Sequence, residues 1–175
     1  MIYKLIEPTN FLLNTRMEDF TIQYLKDTHS MTPAELLEAL AETMTSYGGI
    51  GLSANQCGIP IRAFAMYMNF DQHNKDIALF MNPKVIWESE DTELFKEGCL
   101  TYPNLFLNVR RPKTIEFTYT DKDGNEAKSK FSGLTARIFQ HEYDHMEGTN
   151  FTKLVSKLKL EMGMKKALKI SKKRK

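Results

Sequence analysis

Residues 141–145 read His-Glu-Tyr-Asp-His, and this stretch combines two potential metal ligands with a potential general base. On an α-helix with about 3.6 residues per turn, His141 and His145 project from the same face and can bind one cation. Glu142 then lies beside that cation without having to bind it. Because a divalent metal lowers the pKa of its bound water to roughly 7, a neighbouring carboxylate can accept the proton as the water attacks a carbonyl. The pattern predicts metal-assisted hydrolysis of an amide.

The residues that precede the motif favour a helix packed into a core. Leu134, Ile138 and Phe139 are apolar and lead into the motif. A pair of histidines at this spacing is also common on exposed helices, where the intervening glutamate is simply solvated. In a packed helix, however, ionisable side chains need partners, and a metal supplies them. We therefore interpret the segment as a central metal-binding helix.

A tetrahedral catalytic site needs a third protein ligand and keeps one position open. One class of zinc protease places a histidine six residues after the second ligand, but this chain has Phe151 there. Another class uses a downstream glutamate, and the candidate here, Glu161, lies in a lysine-rich segment. Cys99, within Glu-Gly-Cys-Leu-Thr at residues 97–101, is a better candidate because thiolates bind iron, zinc and cobalt. Taken alone, a single cysteine is more often a small buried apolar side chain.

A further motif, Gly-Ile-Gly-Leu-Ser-Ala-Asn-Gln at residues 49–56, follows a strongly predicted helix. Thr32 and Glu35 form a capping box around Pro33, and glycines end the helix. The motif lacks the lysine and the preceding strand of a phosphate-binding loop. Its glycines instead predict a turn that brings backbone close to a ligand, with Gln56 offering an amide donor.

Together the motifs resemble the signatures of the peptide deformylase family, which read Gly-x-Gly-x-Ala-Ala-x-Gln, Glu-Gly-Cys-Leu-Ser and Gln-His-Glu-x-Asp-His. They occur in the family's order at residues 49–56, 97–101 and 140–145, and the resemblance spans roughly residues 1–155. Ser53 replaces the first usual alanine and Thr101 a usual serine. Neither departure removes a ligand, the base or the glutamine.

The resemblance implies a role for each matching residue. The implied metal ligands are Cys99, His141 and His145, and the ion is Fe²⁺ natively, with Zn²⁺, Ni²⁺ or Co²⁺ as substitutes. Glu142 would be the general base and later the acid, while the Gln56 side chain and the Leu100 backbone N–H would stabilise the oxyanion. The implied substrate-binding residues are Gly49, Ile50, Gly51, Phe95, Gly98 and Ile138, with Arg137 at their border. The implied reaction removes the N-formyl group from the formyl-methionine of nascent polypeptides and releases formate.

Two other positions carry expectations about the surroundings of the site. Glu97 and Arg111 are predicted to form a salt bridge behind the ligands. Phe106 stands where many bacterial members of the family carry an arginine near the peptide, so preferences for longer substrates do not transfer.

Length and composition agree with one compact enzyme domain. The chain has 175 residues, of which 42% are hydrophobic and 26% charged, as in an ordinary globular domain. No apolar run approaches the ~20 residues of a membrane span, and the N-terminus lacks a basic-then-apolar secretion signal. The two cysteines give no disulfide framework. We expect a cytoplasmic monomer that does not bind membranes.

The net charge of +2 hides a basic C-terminal end. From Lys153 onward the chain has ten Lys or Arg and a single acid, Glu161. Leu154, Leu158 and Met162 have helical spacing, which predicts a short basic helix that frays into residues 172–175. We therefore predict a catalytic domain over residues 1–155 and a basic C-terminal helix or tail over residues 156–175.

The basic C-terminal segment can be interpreted in two ways. A run of basic residues is most often a solvated face. The alternative is contact with RNA phosphates. The resemblance points to the ribosome, since bacterial relatives use a C-terminal helix there.

The centre of the chain is rich in predicted strands. They cover Ile61–Met68, Ile77–Met81, Lys84–Glu88, Leu105–Val109, Thr114–Thr120 and Glu126–Phe131, and the last two form a hairpin. The fold class is therefore α+β, with mainly antiparallel β-sheets around the central metal-binding helix, an N-terminal helix and the C-terminal one. His29 and His73 lack ligand spacing and are predicted to be structural or solvated.

Two rival functions remain open at this point. A zinc endopeptidase shares the helical motif but finds no convincing third His or Glu here. A non-catalytic relative with a binding role would keep the fold and lose the site, whereas Cys99, His141, Glu142 and His145 are all present.

Overall fold

The computed structural model describes residues 1–70 and 76–173. Its α-helices are α1 (Ile22–His29), α2 (Pro33–Ser46), α3 (Gly133–Met146) and α4 (Lys157–Lys173). Its strands are β1 (Gly51–Ser53), β2 (Ala63–Tyr67), β3 (Ile77–Glu88), β4 (Thr92–Cys99), β5 (Tyr102–Pro112), β6 (Thr114–Thr120) and β7 (Glu126–Ser132). Single 3₁₀ turns cover Phe11–Asn14, Ala54–Cys57 and Phe151–Leu154. The predictions for His73 and for the last two residues of the tail lie outside the described residues.

The strands form two antiparallel sheets. A five-stranded sheet has the order β1-β2-β3-β6-β7, and β4 pairs with β5. The predicted hairpin is β6 and β7, in register from Thr114 with Ser132 to Thr120 with Glu126. The predicted strands Ile77–Met81 and Lys84–Glu88 are one strand, β3, which continues through an irregular register between Met81 and Lys84.

This irregularity in β3 is held by Asn82. Its φ is +49°, a left-handed conformation that asparagine tolerates. Its side chain accepts a hydrogen bond from the Phe20 backbone N–H at 3.0 Å and donates to the Phe20 carbonyl at 2.8 Å. The predicted break is therefore a bend inside one strand.

Strand β4 was not predicted, and it places Cys99. The strand is mostly exposed, so its sequence lacks the alternation of a half-buried strand. Its partner β5 extends well beyond the predicted Leu105–Val109. The hairpin closes where Cys99 pairs with Tyr102, so Cys99 and Leu100 lie at its turn.

Helix α2 was predicted from its local signals, and the structure confirms them. Thr32 and Glu35 make the capping box, and Pro33 is the first helical residue. The fully buried Leu36 and Leu40 pack into a core with β1 and β2. Helix α1 was missed, because its eight residues bury only one side chain, Leu25.

Helix α3 is central, as predicted. Phe139 is fully buried, and its ring centroid lies 5.1 Å from that of Phe64, 5.3 Å from Phe80 and 3.9 Å from Phe117. These contacts fix α3 against the five-stranded sheet. The helix also buries His141, Glu142 and His145.

Arg62 anchors the C-terminal end of α3. Its side chain is buried and donates to the carbonyls of Met17 and Met146, each at 3.2 Å, and of Pro83 at 2.9 Å. It also forms an ion pair with Glu147. The Met146 carbonyl has no partner within the helix and accepts from Arg62 and from the Met17 backbone N–H at 2.8 Å, so Arg62 helps to cap α3.

We expect Arg62→Met to lower the free energy of unfolding by about 2–4 kcal/mol, because it removes the charged donor of buried carbonyls and leaves Glu147 with only the exposed Arg16 as an ion-pair partner. Urea denaturation measures this change. Lys84→Met is the matched control, since Lys84 is an exposed cation that pairs with Asp19 at 2.8 Å, and such pairs contribute at most about 1 kcal/mol. Equal losses in the two variants would contradict the role given to Arg62.

Helix α4 has 17 residues and is longer than the short helix predicted. Gly163 permits its close approach to β5, because a Cβ there would lie 2.8 Å from Leu107 Cδ2 and 3.0 Å from Leu105 Cδ1. Ala167 is buried on the same side. None of the helices in residues 1–70 and 76–173 has the length and apolar character needed to cross a membrane.

Candidate metal centre

The end of β4 and one face of α3 bring three potential metal ligands together. Cys99 Sγ and one ring nitrogen each of His141 and His145 all lie within 4.8 Å of one another. Cys99 Sγ lies 3.5 Å from His145 Nε2. The sequence-predicted ligand set thus converges, although Cys99 lies more than 40 residues before both histidines in the chain.

Glu97 orients His141 within this group. Its Oε2 lies 3.1 Å from His141 Nδ1, so the other ring nitrogen, Nε2, is left to face a metal. Histidines that bind metals usually donate their second nitrogen to a carboxylate in this way, which fixes the ring and its tautomer. The donor set therefore fits a divalent cation, which His141 and His145 would hold through Nε2.

Two arginines hold Glu97 in place. Arg111 Nε and Nη2 donate to its two oxygens at 2.6 and 2.9 Å, which confirms the predicted salt bridge. Arg137 Nη1 donates to Glu97 Oε1 at 2.7 Å, a contact that was not predicted. Burial opposes ionisation of Glu97, but the hydrogen bonds from His141 and Arg111 outweigh it and hold the pKa of its carboxyl well below the usual range. Glu97 is therefore a fixed anion behind the ligands.

Cys99 lies in an environment that favours the thiolate. Burial alone would raise the pKa of its thiol, but the charge of His145 and the hydrogen bonds from His141 and His145 lower that pKa well below its ordinary value. A thiolate is the form of cysteine that binds metals. Cys57, in contrast, is buried in the core, and that burial raises the pKa of its thiol to about 12.

Gln56 lies directly beside Cys99. Its Oε1 accepts a hydrogen bond from the Ser53 backbone N–H at 3.0 Å, which fixes the orientation of the amide. Its Nε2 therefore donates to Thr101 Oγ1 at 2.9 Å and lies 3.4 Å from Cys99 Sγ. Thr101 thus supplies a hydroxyl where the family signature usually has that of serine.

Glu142 is buried between α3 and β1. A Cβ on Gly51 would lie 2.5 Å from Glu142 Oε1, so only glycine leaves room for this carboxylate. Burial raises the pKa of Glu142. The other oxygen, Oε2, accepts a hydrogen bond from Ser53 Oγ at 2.6 Å. A base needs a raised pKa of this kind to accept protons near neutral pH.

A cleft of about 520 Å³ opens onto these groups. All the predicted substrate-binding residues line it, namely Gly49, Ile50, Gly51, Phe95, Gly98 and Ile138. Gln56, Cys99, Leu100, His141 and Glu142 line it as well, whereas His145 is fully buried behind them. Phe95 and Phe106 are about half exposed at its rim. The cleft thus joins an apolar wall to the polar group of ligands and base.

Comparison with known proteins decides the family. The family model described as polypeptide deformylase matches residues 12–161. The chain belongs to the polypeptide deformylase family. A peptide deformylase of Rhizobium meliloti is 36% identical over 151 residues, which cover 82% of this chain and 87% of that protein.

Solved deformylase structures share the fold. A probable peptide deformylase from Synechococcus phage S-SSM7 is 36% identical, with a TM-score of 0.77 over 87% of this chain and 99% of that one. The peptide deformylase of Synechococcus elongatus in complex with actinonin is 28% identical, with a TM-score of 0.83 over 94% of this chain and 86% of that one.

These findings confirm the resemblance, the α+β fold class and the prediction that the chain is an enzyme of the deformylase family. Family membership and the Cys99, His141 and His145 group together indicate one metal ion. Contacts that orient the site residues were missed, among them those of Glu97 with His141, of Arg137 with Glu97 and of Ser53 with Glu142. Arg137 precedes His141 by one helical turn, and that spacing is a signal that was available.

Proposed function

We propose that the chain is a metal-dependent hydrolase that removes the N-formyl group from the formyl-methionine of nascent polypeptides and releases formate. The observation that carries this proposal is the position of Glu142 beside the Cys99, His141 and His145 group at the base of the cleft. A base next to a metal site suits attack of water on a carbonyl.

In this proposal Cys99, His141 and His145 hold one divalent ion, natively Fe²⁺, for which Zn²⁺, Ni²⁺ or Co²⁺ substitutes. When bound, such an ion polarises the formyl carbonyl and acidifies water. The thiolate of Cys99 is a soft ligand that suits iron and zinc. Glu97 keeps His141 in the orientation that binding requires.

The side chain of Glu142 transfers the proton during the reaction. Glu142 accepts a proton from the attacking water and returns it to the amine nitrogen as the carbon–nitrogen bond breaks. Gln56 Nε2 and the Leu100 backbone N–H donate to the formyl oxygen as it becomes negative, and losing one such donor typically costs about 10²- to 10³-fold in rate. The products are formate and a peptide with a free N-terminal methionine.

The wall of the cleft suits the methionine side chain. Ile50 and Ile138 are apolar, and a flexible thioether packs well against such surfaces. Gly49, Gly51 and Gly98 also line the cleft, and their lack of side chains leaves room for Leu100, Glu142 and Phe106. Phe95 and Phe106 at the rim would contact the residues that follow the methionine.

Release of formate from formyl-Met-Ala-Ser by the Fe²⁺-loaded protein tests the proposal. We expect steady formate production and none from the acetylated peptide. Cleavage of casein without formate release would instead favour an endopeptidase. Metal-loaded protein that is inactive in both assays would favour a binding role and overturn the proposal.

We further propose that the enzyme is a cytoplasmic monomer that meets its substrates at the ribosome through α4. The division into a catalytic domain, residues 1–155, and a basic C-terminal helix, residues 156–175, belongs to this proposal. Lys165 and Lys169 are exposed on α4, as are Leu158 and Met162. Their spacing places them on one face, away from Gly163 and Ala167. Such a face suits contact with RNA phosphates.

We expect the double variant Lys165→Glu, Lys169→Glu to pellet with ribosomes several-fold less than the wild type, because each contact with a phosphate contributes to affinity. Substitution is preferable to removal of α4, which would expose Leu105 and Leu107. The matched control, Lys4→Glu with Lys26→Glu, makes the same change of charge at exposed sites elsewhere. Equal pelleting of the two double variants would contradict a specific role for α4.

A further inference from the structure

Ser53 touches the proposed base directly. Its side chain is fully buried in β1, and its Oγ lies 2.6 Å from Glu142 Oε2. We propose that Ser53 is a positioning residue that fixes the orientation of the Glu142 carboxylate for proton transfer. This inference rests on the proposed function, since it concerns the residue assigned there as the base.

The Ser53 hydroxyl donates its hydrogen to Glu142 Oε2. Ser53 Oγ also lies 3.3 Å from the backbone carbonyl of Glu142, but a hydroxyl has one hydrogen to donate. The shorter distance and the negative charge of the carboxylate favour Oε2 as the acceptor. The two residues are 89 positions apart in the chain, so the bond is tertiary and links β1 to α3.

The bond distinguishes the two oxygens of the carboxylate. Oε2 is held by Ser53, and Oε1 lies against Gly51, which lines the cleft. Within residues 1–70 and 76–173, this is the only hydrogen bond that the carboxylate accepts. The last torsion of glutamate has no sharp energy wells, so without the bond the carboxylate is free to turn.

An alanine, the usual residue of the family signature at this position, cannot make the bond. The contact is therefore a property of this chain that the signature does not contain. Ser53→Ala removes one oxygen atom from a fully buried side chain and adds no volume, so we expect the variant to fold.

Ser53→Ala should lower kcat for formyl-Met-Ala-Ser about tenfold, the scale of losing a hydrogen bond to a charged group. KM should stay within about twofold, because Ser53 is fully buried and is not among the residues that line the cleft. The control is Thr43→Val, which removes a buried hydroxyl that donates to the Ala39 carbonyl at 2.7 Å, away from the site. It should lower the denaturation midpoint and leave kcat unchanged. An unchanged kcat in Ser53→Ala, or an equal fall in both variants, would overturn the proposal.

A second measurement does not depend on activity. Ser53→Ala should shift the urea midpoint in the wild-type background and shift it clearly less in Glu142→Met, because the two residues are coupled. Equal shifts in both backgrounds would overturn the inference. If the wild type releases no formate, the proposed function fails, while the denaturation cycle still reports whether Ser53 holds residue 142. If the wild type is active and Ser53→Ala matches it, the inference alone fails.

Discussion

Glu142→Gln should lower kcat for formyl-Met-Ala-Ser by about 10²- to 10⁴-fold, the usual contribution of a general base. Glutamine has nearly the same shape, so it fits the space against Gly51 and still accepts the Ser53 hydroxyl through its carbonyl oxygen. It cannot accept a proton from water. KM and the bound metal per chain should therefore remain close to those of the wild type.

Initial rates of formate release measure this change, beside metal analysis of the same preparations. Glu38→Gln, on the exposed side of α2, is the matched control and should be as active as the wild type. If Glu142→Gln retains the wild-type kcat, Glu142 is not the base. If the variant loses its metal, Glu142 contributes to binding of the ion, and the assignment of ligands would have to change.

Local signals explain which elements could be predicted from the sequence. The capping box of Thr32 and Glu35 involves residues three apart, and the hairpin of β6 and β7 is set by its turn. The apolar spacing before His141 indicates a packed helix for the same reason. In each case the interactions that determine the element join residues that are close together in the sequence.

Elements that depend on distant contacts were missed or divided. β4 is mostly exposed and is held by pairing with β5. β3 continues through Asn82 because that side chain bonds to Phe20, 62 residues away. α1 buries only Leu25 and so carries almost no periodic signal. Gly163 allows the last helix to pack on Leu107, 56 residues earlier in the chain.

The residues of the candidate site likewise fall into those that the sequence could predict and those that it could not. Motifs identified the ligands, the base and Gln56, because signature residues are recognisable by type and spacing. The partners that orient them were harder to predict, since Glu97 meets His141 across 44 residues and Ser53 meets Glu142 across 89. Only the pairing of Glu97 with Arg111 was predicted. That prediction did not include the contact with His141, through which Glu97 orients a metal ligand.

Cys99→Ala should weaken metal binding by more than about 100-fold, because changing a group that merely orients a ligand already costs about 10- to 100-fold. Loss of the thiolate removes both a ligand and a negative charge from the group. Deformylase activity should fall with the metal content. Titration with Zn²⁺ or Co²⁺ against a competing chelator measures the affinity without reference to activity.

The chain provides its own control for this prediction in its second cysteine. Cys57→Ala should keep the wild-type metal affinity and lose some stability, because Cys57 is a buried core residue. Equal loss of metal in both cysteine variants would contradict the assignment of Cys99.

Alkylation tests the same ligand in the unaltered protein. Without metal, the Cys99 thiolate lines the cleft and should react with iodoacetamide at pH 7, whereas Cys57, buried and with the pKa of its thiol at about 12, should not. Added Zn²⁺ should protect Cys99, since a metal-bound thiolate is no longer a free nucleophile. His141→Ala should abolish the protection, because the ion would lose one of its three ligands. Protection that survives in His141→Ala would mean that the ion binds Cys99 without His141, and the proposed ligand set would be wrong.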